Sequence, residues 1–164
     1  MAQAPLTMKV TYNKHQSKLV DSFIKAYPEL VEKSVRIATD FGKRMIIMFT
    51  PVKTGAARAS WTIEDTPLPF SYAIVSTIGR GAAYTPALET GTGIWSEGGQ
   101  PITPKKGDWL VFPIIEGNTI VRWVKTKSVN GMMGHFMVAR SVKPTTERLS
   151  KGLMKRIREQ WGKR

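Results

Sequence analysis

Helix-breaking residues are unevenly placed in this chain, and their placement limits the fold more than any other feature. From His15 to Phe49 there are few breakers and many helix formers. Thr50-Pro51 then stops the run, because Pro51 restricts the residue before it and lacks the N–H that would continue a helix. The middle of the chain is punctuated by Gly55, Gly79, Gly81 and Pro86. Residues 90–107 alone carry Gly91, Gly93, Gly98, Gly99, Pro101, Pro104 and Gly107. Helical spacing returns over 145–161, where Leu149, Leu153, Ile157 and Trp161 follow one another at four-residue steps. A chain that is helical at both ends and broken in the middle predicts an α+β fold. Its antiparallel β-sheet would be packed by a long N-terminal helix and a C-terminal helix.

Within the first part, Pro28 divides a short helix over 15–27 from a longer one ending near residue 49. Val31, Val35, Ala38, Met45 and Phe49 form one apolar stripe, and Gly42 is a candidate for a close contact. Met45 to Met48 is an unbroken apolar run, so this helix end is expected to be covered on more than one side. In the middle, Trp61–Glu64 and Ser71–Ile78 read as strands. Trp109–Ile115 and Thr119–Thr126 read as a hairpin joined through Glu116-Gly117-Asn118. The last helix starts either at Pro144, in its first turn, or near Phe136 with a kink at the proline. With 164 residues, one domain is expected. Residues 1–12 would be a flexible arm and 13–161 a single domain containing an irregular loop at 90–107.

The charge is +13, from 25 basic and 12 acidic side chains. It is concentrated at the two ends of the chain, and residues 60–119 are mildly acidic. Such a chain attracts acidic partners or nucleic acid. No cysteine is present, so disulfides, thiolate zinc sites and cysteine nucleophiles are excluded. His15 and His135 stand in no metal-binding spacing, and Glu64 and Asp65 would point to opposite faces of a strand. Gly79-Arg80-Gly81 lacks the pattern of a nucleotide loop. No catalytic, metal or cofactor residues are expected. There is no apolar run long enough to span a membrane, and the first residues lack a secretory pattern, so a cytosolic origin is expected.

Two patches carry a more specific signal. The first is Thr50-Pro-Val-Lys-Thr-Gly-Ala-Ala-Arg-Ala-Ser60, and the second is Ala83-Tyr-Thr-Pro-Ala-Leu-Glu-Thr-Gly-Thr92. Their order and separation between flanking helices resemble the tail completion or neck proteins of tailed phages, the head–tail joining group related in pattern to lambda-type minor tail protein Z. Pro51, Thr54, Gly55, Arg58 and Ser60 match the first family motif, with Ala57 in place of the usual leucine. Tyr84, Leu88, Glu89, Gly91 and Thr92 match the second, with Thr85 in place of the usual alanine. Asn130-Gly-Met-Met-Gly134 stands where the family has a proline-glycine pair before its last helix.

The resemblance implies a virion structural protein, assembled in the host cytoplasm, that forms a ring of six around the DNA channel. Its partners would be its own copies, head-completion, tail-terminator or tail-tube proteins, and transiently DNA. From the residues themselves, Thr54 is expected to cap the short turn holding Arg58. The family resemblance implies that Glu89 lies near Arg58, so Glu89 is expected to pair with Arg58 or to accept the amides of Gly91 and Thr92, with Gly91 at positive φ. Tyr84 and Leu88 would bury against the first long helix. Trp95 is the candidate docking anchor of the loop, and Arg148, Lys151, Lys155, Arg156 and Arg158 form a candidate basic interface. The alternatives are a non-sequence-specific DNA-binding accessory protein and a metal-dependent hydrolase.

Overall fold

The computed structural model describes residues 7–10, 25, 27–77, 79, 81–116 and 119–161. In chain order the elements are β1 (Thr7–Val10), α1 (Pro28–Phe49), α2 (Ala56–Ala59), β2 (Trp61–Asp65) and β3 (Tyr72–Ser76). Then come α3 (Thr85–Thr90), β4 (Leu110–Glu116), β5 (Thr119–Thr126) and α4 (Met137–Trp161). Short 3-10 turns cover Ala82–Tyr84 and Gly93–Trp95. The fold is α+β, as expected, but it holds two antiparallel sheets, a three-stranded one in the order β1-β3-β2 and a two-stranded one, β4-β5. The chain divides into two compact units. One takes the chain up to Pro86 and from Phe136 onward, and the other is Ala87–His135.

In the first unit, α1 begins as the sequence predicts. Pro28 occupies its first turn, and the Tyr27 carbonyl accepts the Leu30 and Val31 amides at 3.1 and 3.2 Å. It ends at Thr50, whose extended ψ of 122° is the conformation imposed before proline. The helix buries two rows at four-residue steps, Val31-Val35-Thr39 and Ser34-Ala38-Gly42-Ile46. α4 buries Met137, Ser141, Thr145, Leu149 and Ile157, also at steps of four or eight. Ridges of this type interdigitate in the packing class that crosses at about 50°. α4 makes its main contacts with α1, and α1 covers the sheet. The two helices pack against each other, in keeping with the expected α+β fold. The first half of α4 buries small hydroxyl residues, which permit close approach. Ser141 and Thr145 each return their O–H to a carbonyl of their own helix at 2.7 Å, so no hydrogen bond is lost.

Three arginines tie α4 to α1 in antiparallel order. Arg140 stacks on Phe49 at 4.2 Å, Arg148 lies over Phe41 at 5.8 Å, and Arg156 donates to Ser34 Oγ at 2.7 Å. β3 is the central strand and all five of its residues are buried. Tyr72 donates its hydroxyl to Glu32 of α1 at 3.2 Å. Burial, then this bond to the carboxylate, push its pKa above the ordinary tyrosine value.

Two expectations are corrected here, and one alternative is decided. Thr7–Val10, assigned to a flexible arm, forms β1 and pairs with β3 from Thr7↔Val75 to Val10↔Tyr72. The apolar run at the end of α1 is not wholly covered: Ile46 is fully buried, whereas Met48 is 56% exposed. The last helix begins at Met137 with Pro144 inside it, which decides between the two starts read from the sequence. The short helix expected over 15–27 lies almost wholly outside the described residues, as does the Gly117-Asn118 turn.

In the second unit, β4 and β5 pair from Leu110↔Thr126 to Glu116↔Thr119, with an irregularity between Ile114 and Ile115. Pro113 is tolerated in β4 because a two-stranded sheet has only edge strands.

Candidate interaction surfaces

The first motif is a joint between α1 and the three-stranded sheet. Gly55, at φ +78°, turns the chain into α2, and the Ala56 amide donates to Thr54 Oγ1 at 3.4 Å, so Thr54 supplies a weak cap. Arg58 donates its Nε to the Thr50 carbonyl at 2.8 Å, satisfying an acceptor at the end of α1. Ser60 is buried and hydrogen-bonds Ser76 Oγ at 2.7 Å, which locks the joint to β3. Pro51, half-buried, separates helix from joint. A side chain at Gly81 would run into the backbone of Ala56 and Ala57, so the start of the second patch packs directly on α2. No sequence signal marked that contact. Replacing Arg58 by alanine is expected to cost about 1.5 kcal/mol, because the hydrogen bond is charge-assisted. Urea denaturation of the full chain measures it.

The second motif departs from expectation at Tyr84, which is 61% exposed and not packed on α1. Leu88 is half-buried and Glu89 is buried. The amides of Gly91 and Thr92 do not go to the Glu89 carboxylate. They donate to the carbonyls of Ala87 and Met132 at 2.9 and 2.7 Å. Gly91 does take the expected positive φ, +85°.

These bonds are part of a clasp that the sequence did not reveal. Glu89-Thr-Gly-Thr-Gly93 lies against Asn130-Gly-Met-Met-Gly134. The Ile94 amide donates to the Asn130 carbonyl at 2.9 Å, and the Met132 amide donates to Thr92 Oγ1 at 3.0 Å. The His135 amide donates to the Leu88 carbonyl at 2.7 Å. Gly91, Gly93, Gly131 and Gly134 each approach backbone so closely that a Cβ would collide. The clasp gives Asn130–Gly134 a structural role.

The β4–β5 hairpin has two unlike faces. Leu110, Phe112, Ile114 and Val124 are half-buried. On the other face, Val111 pairs with Lys125, Pro113 with Trp123 and Ile115 with Ile120. Here Val111 is 59% exposed and Trp123 64%, and Lys125 and Lys127 sit over the exposed Trp109 ring at 4.9 and 5.5 Å. Trp95, the expected anchor, is also exposed.

Of the basic residues singled out on α4, Lys151, Lys155 and Arg158 are exposed, as is Arg148. Arg156 is half-buried through its bond to Ser34. Among the described residues no group of three or more His, Asp or Glu side chains is placed to hold a metal, and no helix is long and apolar enough to cross a membrane. No protein-family model, curated protein or solved structure significantly matches this chain.

Proposed function

We propose that this protein is a structural component of a tailed-phage virion, a tail completion or neck protein whose copies join into a ring around the DNA channel. The open apolar face of β4–β5 carries the reading. A two-stranded hairpin is at best marginally stable in water, yet this one turns Val111, Ile115 and Trp123 outward. Contiguous exposed apolar residues of this kind mark a surface that another protein covers. The family-like motifs add support. Their residues serve as joints, with Arg58 closing a helix end and Ser60 bonded to Ser76. On this reading the protein works by shape. It is not an enzyme, it uses no cofactor, and its partners are its own copies together with adjacent head-completion or tail-tube proteins.

Native mass spectrometry and negative-stain imaging, with and without tail tubes, test the proposal. Rings are expected, on tubes if not alone. The double variant Val111→Thr/Trp123→Thr preserves strand propensity and is expected to keep its circular dichroism spectrum while losing rings. A chain that stays monomeric with tubes, or a double variant that still forms rings, would refute the reading.

A further inference from the structure

The interface between α1 and α4 holds more positive charge than packing requires. A groove of about 350 Å³ runs there, lined by Ser34 and Ile37 of α1 and by Arg148, Lys151, Lys155 and Arg156 of α4. Glu159 is the one carboxylate among the lining residues. It sits 3.9 Å from Lys155, so the four cations and one carboxylate of the lining leave a net of three positive charges. Both guanidinium groups lie against α1, and Arg156 is held there by a hydrogen bond. Arg156 gives one N–H to Ser34 and keeps the rest of its fork, and Arg148 lies over Phe41. Cations fixed beforehand lose less freedom when they meet an anion than free side chains do.

Gly152 adds an independent observation. It lines the groove from within α4, where glycine weakens a helix relative to alanine. Nothing lies within 4 Å of where its Cβ would stand, so packing does not demand glycine. Its missing side chain leaves the groove open. The four cations are strung along eight residues of helix, a span of about 12 Å. Beyond them Arg158 continues the row in an adjoining depression with Lys151 and Met154. A linear array of this length suits a polymer with regularly spaced charge better than a single acidic side chain.

We infer that this groove binds the phosphate groups of a nucleic-acid backbone without reading its sequence. The geometry belongs to one unit of one chain, so a monomer carries the groove as fully as a ring does.

The test is fluorescence anisotropy of a labelled random-sequence DNA duplex titrated with the full chain between about 50 and 200 mM salt. Log affinity is expected to fall linearly with log salt. Lys151→Gln/Lys155→Gln is expected to weaken binding and to lower the slope by about 2. Gly152→Glu is expected to keep or raise helix content, since glutamate is the better helix former, and to weaken binding by roughly tenfold or more. Lys105→Gln/Lys106→Gln, in the other unit, should leave affinity and slope unchanged. The inference is overturned if the groove variants bind like the parent. It is also overturned if poly-glutamate displaces the duplex at equal charge, or if inorganic phosphate binds as tightly as the duplex does. Rings that persist in the groove variants, and duplex binding that persists in the hairpin variant, separate this inference from the ring proposal.

Discussion

Replacing Gly131 by valine is expected to unfold the clasp and with it most of the unit Ala87–His135. Gly131 sits at φ +88°, which a β-branched residue adopts only at a cost of about 1–3 kcal/mol. Its Cβ would also collide with the Thr92 carbonyl and the Gly93 amide, which are backbone atoms and cannot swing aside. Relief requires separating the two segments. That breaks the Thr92–Met132 and Ile94–Asn130 hydrogen bonds, each worth about 1 kcal/mol net. The combined cost is about 3–5 kcal/mol, reaching the range of severe backbone conflicts. Hydrogen exchange reads it directly: the Thr92, Ile94 and Met132 amides should lose protection while those of α1 keep theirs. Gly107 provides the control. It has φ +74° but nothing within 4 Å of a Cβ, so Gly107→Val carries the conformational penalty alone. Equal effects at the two sites would show that the clasp contributes nothing.

Ile46→Ala is expected to destabilise the first unit by about 3–5 kcal/mol, the upper part of the range for such truncations. Ile46 is fully buried, and its carbonyl accepts both the amide and the hydroxyl of Thr50, at 2.9 and 2.7 Å. The backbone there is pinned, so it cannot relax into the cavity and the full packing loss remains. For a chain of this size the melting temperature should fall by roughly 10 °C. Met48, two residues on and 56% exposed, is the comparison: Met48→Ala should change stability by no more than about 0.5 kcal/mol. A loss below about 1 kcal/mol at Ile46 would mean that α1 is not packed as described.

Local chemistry explains which parts of the fold were legible. The bounds of α1 follow from Pro28 and Pro51, and both act through φ and a missing N–H within their own few residues. β2, β3, β4 and β5 were readable from β-branched and aromatic runs, because that preference is also local. The first half of α4 was less legible. Ser141 and Thr145 look polar in sequence, yet they are buried because their hydroxyls bond within the helix. Tyr84 was misplaced for the opposite reason. A large ring suggests burial, but its surroundings leave it exposed.

The candidate surfaces divide in the same way. That Arg58, Ser60 and Gly91 stand at structural positions was readable from the motifs. That Gly81 meets Ala56, that Gly93 meets Asn130, and that one hairpin face is open were not. Likewise, the basic character of α4 is plain in the sequence, but only the packing shows Arg140 and Arg156 engaged with α1 while Lys151 and Lys155 stay exposed.

The sequence by itself determined the bounds of α1, the places of β2 to β5, the sign of the charge, and the lack of thiol chemistry. Each of these depends on a residue and its near neighbours along the chain. Tertiary structure alone decided which glycines admit no side chain, which hydroxyls are buried, and which cations line a groove. Those outcomes depend on atoms that lie some forty to a hundred and twenty residues apart in the chain, such as Thr92 with Met132 and Ser34 with Arg156. No local pattern records such a meeting, because the chain reaches it only by folding.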